Sequence, residues 1–195
     1  MGNRLMIPIT IRRSGETVYH QGLKQRDVSP DVRCAVPDDA TAIREIARKS
    51  WHAAYDSILG AEIVTETIDQ WYALEDLRAS ITEACAREDA VFLVAEEANE
   101  PVGFAHAGPH RERPSVASLN RIYVRPDRWG EGIGTSLLTR IQDSLRGEYD
   151  QLYLAVLADN EVAVSFYESA GFERVGTQDS DLKQEVEEYV YENSL

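Results

Sequence analysis

Residues 119–135 read LNRIYVRPDRWGEGIGT and decide the fold. The first half is a predicted strand that ends at Pro126, and the second half opens an amphipathic helix with three alternating glycines, Gly130, Gly132 and Gly134. Glycine permits positive φ and lets a ligand approach the backbone closely. Because the unpaired N–H groups of a first helical turn attract anions, this turn predicts a cradle for a pyrophosphate group.

The spacing of these glycines excludes two common phosphate-binding motifs. The chain lacks the G-K-[ST] triplet that an ATP-type P-loop requires. The dinucleotide spacing G-x-G-x-x-G also fails, because the third glycine would fall at Thr135 or at Leu137. Three glycines alone are weak evidence, since a purely structural strand–turn–helix connection also explains them.

A second informative segment, residues 160–172, reads NEVAVSFYESAGF and follows an apolar strand. Asn160 and Tyr167 are seven residues apart, almost two helical turns, and therefore project from one face of a helix. An amide and a phenol in this arrangement can contact the same elongated ligand. The alternative is that Asn160 only caps the helix and Tyr167 only packs in the core.

Together the two segments resemble the motifs of the GNAT superfamily of N-acetyltransferases. The first is similar to the acetyl-CoA motif Q/R-x-x-G-x-G/A, although Trp129 occupies the usual Gln/Arg position. The second resembles the pattern N-x-x-A-x-x-F-Y-x-x-x-G-F, and its matching residues are Asn160, Ala163, Phe166, Tyr167, Gly171 and Phe172. The resemblance extends from Asp31 to Glu192. It implies an α/β (α+β) fold with a mixed, mostly antiparallel central sheet flanked by helices.

The resemblance also implies an acetyl-CoA-dependent enzyme that acetylates a primary amine by direct attack in a ternary complex, without a metal. The acceptor would be a small molecule, a protein N-terminus or a lysine. One alternative is a non-catalytic acyl-CoA-binding module, and a weaker one is a nucleotide-binding domain of another class. The cofactor contacts implied are the backbone at Ile122, Tyr123 and Val124, the amides of Gly130, Glu131, Gly132, Ile133, Gly134 and Thr135, and the side chain of Asn160.

Tyr167 would protonate the leaving thiolate, but the group that deprotonates the amine is not obvious. Relatives often carry a Glu on one of two strands, where this chain offers Ser118 and Asn120 or Ala155 and Val156. A water chain is therefore the first expectation. His106 on the preceding strand is the second, and a merely packed histidine is the alternative.

Aromatic residues at 51–55 lie where relatives form the acceptor wall. Trp51 and Tyr55 are candidate substrate contacts, through packing or a cation–π contact, and a structural core cluster is the alternative. His106 is a third candidate for contact with the substrate. Arg125 and Arg128 would add positive charge near the phosphates, unless they are solvated surface residues.

Hydrophobic periodicity predicts one domain over residues 31–195 with a mixed order of elements. The predicted strands cover residues 32–36, 91–96, 101–107, 116–124, 151–157, 172–177 and 186–192. Helices are predicted after Pro37, over 68–87, after the glycine turn and over 161–170. Residues 1–30 read as a loosely ordered N-terminal extension with one strand near Met6–Arg12; a mobile leader is favoured over a basic binding tail.

Composition narrows the class of partner. With 34 acidic and 20 basic residues the formal charge is −14, which disfavours nucleic-acid binding. The sequence has no apolar run long enough to span a membrane and no signal peptide, so a cytoplasmic protein is expected. The oligomeric state stays open, a homodimer included.

Two residue types carry further expectations. Cys34 and Cys85 are expected to be small buried apolar side chains, and pairing between them is disfavoured in a reducing cytosol. Only three of the 20 basic residues are lysines. This composition resembles that of proteins from salt-loving archaea and predicts a halophilic protein whose stability needs high salt.

Overall fold

The computed structural model describes residues 30–183 and 185–195, so most of the predicted N-terminal extension, including its strand near Met6–Arg12, lies outside the described residues. The described part contains seven strands and five α-helices. In chain order they are β1 (Asp31–Cys34), α1 (Ala40–Tyr55), α2 (Ala61–Trp71), α3 (Leu74–Cys85), β2 (Val91–Glu97), β3 (Glu100–Pro109), β4 (Val116–Val124), α4 (Ile133–Leu145), β5 (Gln151–Leu157), α5 (Glu161–Ser169), β6 (Glu173–Asp179) and β7 (Glu187–Ser194).

The strands form one sheet in the order β1-β2-β3-β4-β5-β7-β6. Only the β4–β5 pair is parallel; the other neighbours are antiparallel. One face of the sheet is covered by α4 and α5, and the other by α1, α2 and α3, so that two apolar cores form. The predicted mixed, mostly antiparallel sheet flanked by helices is confirmed.

The two central strands separate halfway along their length. β4 pairs with β5 only from Val116 to Ser118, opposite residues 151–153. Beyond that point β4 continues to Val124 beside β3, and β5 continues to Leu157 beside β7. A gap therefore opens between the carboxyl ends of two parallel strands, the place where α/β sheets bind ligands.

The single helix predicted over residues 68–87 is wrong, because the structure has two helices there. α2 ends at Trp71, and Tyr72 and Ala73 leave the helical conformation before α3 begins at Leu74. The Tyr72 ring is 1% exposed and makes edge contacts with Phe104 and Tyr123. Burying this large ring against the sheet outweighs the helical tendency of the segment.

The expectation of buried cysteines is also wrong. Cys34 and Cys85 are both exposed free thiols. Cys34 ends the edge strand β1, and Cys85 ends α3, where the neighbouring Ala84 occupies the inward position with 3% exposure. The Cys85 thiol donates a hydrogen bond of 3.3 Å to the carbonyl of Ala35 instead of packing in the core.

Candidate functional site

Backbone groups of β4 line the gap between β4 and β5. The Arg125 N–H donates to the carbonyl of Val102, in the chain that continues β3, at 2.8 Å. Because successive residues of a strand direct their amide groups to opposite sides, Ile122 and Val124 direct theirs toward the gap. Tyr123 instead directs its amide groups toward β3. Of the three backbone contacts expected at 122–124, the structure therefore brings Ile122 and Val124 to the gap.

Trp129 anchors the glycine turn to the end of β4. Its indole Nε1 donates to the carbonyl of Val124 at 2.7 Å, and the Ser50 hydroxyl of α1 donates to the same oxygen at 2.8 Å. Trp129, which occupies the usual Gln/Arg position of the motif, thus fixes the backbone at the Val124 end of the gap.

Two glycines give the turn its shape. Gly130 has φ 84°, and Gly132, which caps the N-terminus of α4, has φ 80° and ψ 0°. A residue with a Cβ in this left-handed conformation costs roughly 1–2 kcal/mol. The backbone N–H of Ser136 donates to the Gly132 carbonyl at 3.0 Å, which closes the first turn of α4.

The N–H groups that precede Ser136 form the start of α4. The amides of Ile133, Gly134 and Thr135 have no partner within the helix, as at any helix N-terminus. Glu131, Gly132 and Thr135 are exposed. The segment predicted as a pyrophosphate cradle thus has exposed residues beside the buried Ile133 and Gly134, at the positive end of the helix dipole, which attracts anions.

The arginines near the cradle are paired with carboxylates. Arg125 binds Asp127 with a closest distance of 2.6 Å, and Arg128 contacts Glu97 and, at 3.4 Å, Glu131. Because each guanidinium already has acidic neighbours, the main-chain N–H groups are the better anion donors here.

The Tyr167 phenol is buried without a partner. The side chain is 0% exposed, and its oxygen has no hydrogen-bond partner among the described residues. Burial raises the pKa of Tyr167 well above 10, so the phenol keeps its proton at neutral pH. Phe166 and Phe172 pack edge-on against the ring and fix its position. A protonated, unsatisfied hydroxyl is suited to donate to a ligand atom.

Asn160 caps α5 and also reaches across to α1. Its Oδ1 accepts the N–H of Ala163 at 3.1 Å, and its Nδ2 donates to the Tyr55 hydroxyl at 3.3 Å. The capping interpretation is therefore correct, but it is not the whole role. The contact brings α1, Tyr55 and the start of α5 together at the end of β5.

The candidate acceptor wall is an aromatic cluster in the core. Trp51 and Tyr55 are both 0% exposed, with ring centroids 5.1 Å apart, and Trp51 stacks on Tyr123 at 6.3 Å. The neighbouring His52 points outward and contacts Asp56 at 2.8 Å. The structure supports the core alternative for Trp51, while Tyr55 also contacts Asn160.

His106 lies on the sheet face covered by α1–α3. Its ring stacks on Phe92 at 4.9 Å, and its buried Nδ1 has no hydrogen-bond partner in the described part of the chain. Burial, with a smaller effect from the charge of Arg121, lowers the pKa of His106 to about 3. An alkylammonium ion has a pKa of about 10.4. His106 is therefore too weak a base to be favoured as the proton acceptor.

Two buried charged residues were missed by the sequence reasoning. Arg121 on β4 is 7% exposed, and Glu188 on β7 is 1% exposed and accepts a hydrogen bond of 2.7 Å from Gln178 Nε2. Arg121 interrupts a mostly apolar strand, whereas Glu188 stands among other acidic and polar residues of β7. Neither pattern reveals the direction of the side chain. Within residues 30–183 and 185–195, no group of three or more metal-binding side chains occurs. In the same ranges no helix is long and apolar enough to cross a membrane.

Comparison with known proteins identifies the family. The model of the acetyltransferase (GNAT) family matches residues 42–172. Mycothiol acetyltransferase from Kineococcus radiotolerans is 32% identical over 168 residues, which are 85% of this chain and 54% of that protein. N-alpha-acetyltransferase RimI from Mycobacterium tuberculosis is 41% identical over 66 residues, which are 34% of this chain and 40% of that protein.

A solved structure agrees with this assignment. The PaiA N-acetyltransferase from Thermoplasma acidophilum, crystallised with coenzyme A, superposes with a TM-score of 0.76 at 25% identity, over 86% of this chain and 100% of that one. The chain spans about half the length of the first curated relatives that it matches. With the strand gap, the glycine turn and the family match in agreement, this chain belongs to the GNAT acetyltransferase family.

Proposed function

We propose that this protein transfers an acetyl group from acetyl-CoA to a primary amine by direct attack in a ternary complex. The observation that carries the proposal is the early end of the β4–β5 pairing at Ser118, with the amide groups of Ile122 and Val124 facing the gap. The relatives named for acetyl transfer and the neighbour crystallised with coenzyme A support it.

In this mechanism backbone groups bind acetyl-CoA, and the phenol of Tyr167 donates one proton. The pantetheine arm lies in the gap and bonds to the backbone of Ile122 and to the N–H of Val124, whose carbonyl already accepts from Trp129 and Ser50. The thioester carbonyl is polarised by a main-chain donor, a contact worth roughly 3–4 kcal/mol in the transition state. The pyrophosphate binds the amides of residues 130–135. The side chain of Asn160 has one further N–H available to the pantetheine arm.

The chemical step forms a C–N bond and breaks a C–S bond. The neutral amine attacks the thioester carbon, and when the tetrahedral intermediate collapses, Tyr167 gives its proton to the leaving thiolate. The amine loses a proton to a chain of water molecules, and a proton then returns to the phenol. β4 and β5 contain no Asp or Glu, which favours water over a carboxylate on these strands.

The acceptor is a small-molecule amine or a protein amine. One relative is named for mycothiol and another as an N-alpha-acetyltransferase, so both kinds of acceptor occur among similar proteins. The same lack of a carboxylate on β4 and β5 favours the alternative of an acyl-CoA-binding module without turnover.

A thiol-release assay over a panel of amines, paired with calorimetric titration of acetyl-CoA, separates the two functions. Release of free CoA that depends on an amine supports the enzyme. Binding of acetyl-CoA without release for any amine supports the module, and no binding refutes both. In Tyr167→Phe, kcat should fall while the affinity for acetyl-CoA stays nearly constant. Tyr191→Phe is the matched control, because its hydroxyl donates to Glu168, whereas that of Tyr167 has no partner among the described residues.

A further inference from the structure

Arg121 is a buried cation with an unused donor. The residue is 7% exposed, and its Nη1 has no hydrogen-bond partner among the described residues. The guanidinium carbon lies 5.0 Å from the centroid of the Tyr72 ring, so a cation–π contact holds it in place. A buried charge without full compensation is costly, and this cost falls when a ligand of opposite charge binds.

The position of Arg121 favours contact with the acceptor over contact with coenzyme A. The next residue, Ile122, directs its amide groups toward the gap. Because consecutive Cα atoms are about 3.8 Å apart, the Cα atom of Arg121 lies close to the gap. Its side chain lies on the face covered by α1–α3, where it contacts Tyr72, whereas the first turn of α4 and Tyr167 belong to the other face. Arg121 therefore lies on the sheet face opposite the first turn of α4 and the Tyr167 phenol.

A cavity opens on this same face. It has a volume of about 150 Å³ and lies between α3 and the strands β3 and β4. Its lining residues include Ser80, Glu83, Arg87, His106 and Asn120. Arg121 does not line the cavity; it follows Asn120 in the chain and is the direct cross-strand partner of His106. The volume suits a small polar molecule and is too small for a folded protein segment.

The charge of Arg121 then selects the chemistry of that molecule. A guanidinium presents its N–H groups in a planar fork that matches a carboxylate or a similar oxyanion. The formal charge of the whole chain is −14, which repels anions at long range. The buried guanidinium of Arg121 is a local exception, and in the low dielectric of the interior its contact with an anion is the stronger effect.

We propose that Arg121 binds an oxyanion of the acceptor, so that the substrates are small amines that also carry a carboxylate or a related acidic group, such as free amino acids. This inference rests on the proposed acetyltransferase function. Arg121 is in this view a specificity-determining residue, and the amine of the same molecule reaches the thioester beside Ile122.

The test compares amines that differ only in the acidic group. Thiol release is measured for phenylalanine against phenethylamine and for methionine against 3-(methylthio)propylamine, with aminoethylphosphonate as a second oxyanion. We expect kcat/KM to be at least about 30-fold higher for the carboxylate-bearing member of a pair, the lower bound for a buried charge contact. Equal values for both members of each pair would overturn the proposal.

Substitutions at Arg121 give an independent readout. Arg121→Met should abolish the preference without changing KM for acetyl-CoA, and Arg121→Lys should keep part of it. Arg113→Met is the matched control, since Arg113 is a partly exposed arginine paired with Glu192. A preference that persists in Arg121→Met refutes the assignment. The wild-type comparison stands even if these variants fold poorly.

Binding measurements separate failure of this inference from failure of the proposed function. Calorimetric titration of the same amines into the protein saturated with CoA detects acceptor recognition without turnover. Preferential binding of the amino acids without any thiol release would support Arg121 while contradicting the enzyme. Turnover of simple amines, with no gain from a carboxylate, would support the enzyme while contradicting the role of Arg121.

Discussion

Replacing Tyr167 by phenylalanine should stabilise the ligand-free protein while it slows the reaction. The phenol oxygen is fully buried and has no partner among the described residues. Leaving such a group unsatisfied costs about 1–3 kcal/mol, which the substitution removes together with the oxygen. We therefore expect the free energy of unfolding to rise by at least about 1 kcal/mol. For a chain of this size that corresponds to a melting temperature about 2–4 °C higher.

Urea denaturation and thermal melts of the ligand-free protein measure this effect. The control is Tyr191→Phe, which removes a hydroxyl that donates to Glu168 Oε1 at 2.9 Å and should therefore destabilise the fold by about 1.5–3 kcal/mol. In a parallel thiol-release assay, Tyr167→Phe should lose about 100-fold or more in kcat, as expected for removal of a general acid. If Tyr167→Phe destabilises the fold as Tyr191→Phe does, the phenol is a structural hydrogen-bonding group and our reasoning is refuted.

Three further predictions concern pH, backbone conformation and salt. The pKa of His106 is about 3 in the folded protein and near 6.5 in the unfolded chain. Between these values the unfolded chain binds more protons, so the free energy of unfolding decreases as pH falls below about 6.5, by up to about 1.4 kcal/mol per pH unit. Urea unfolding from pH 7 to 4.5 should show that this free energy depends less steeply on pH in His106→Gln than in the unmodified protein. An identical slope for both would contradict the prediction. Gly132 has φ 80°, so Gly132→Ala should lower the free energy of unfolding by about 1–2 kcal/mol and weaken acetyl-CoA binding measured by calorimetry. Gly147, at φ 99°, lies beyond the other end of α4, so Gly147→Ala should lower stability by a similar amount and leave acetyl-CoA binding unchanged. The melting temperature should rise from dilute buffer to molar KCl, because salt screens the self-repulsion of a chain of charge −14; an unchanged value would remove the halophilic hypothesis.

Local signals in the sequence determined most of the sheet and the positions of the glycine turn and of the α5 N-cap. The bounds predicted for β4 and β5 agree with the structure at both ends. The hairpin between β2 and β3 turns at Ala98 and Asn99, both with positive φ, between the strands predicted at 91–96 and 101–107. The glycine turn and the capping Asn160 lie where expected. These features depend on residues close together in the chain, so periodicity and turn chemistry suffice to locate them.

Only the tertiary structure decided which side chains face which core. Tyr72 breaks the predicted helix because its ring fits against Phe104, a residue 32 positions away. Cys34 and Cys85 are exposed at the ends of β1 and α3. The burial of Arg121 depends on the ring of Tyr72, which lies in the connection between α2 and α3. The sequence alone located most of the strands and the glycine turn, because these arise from neighbouring residues. The surroundings of Trp51, Tyr72 and Arg121 arise from contacts between distant segments, whose packing no local pattern encodes.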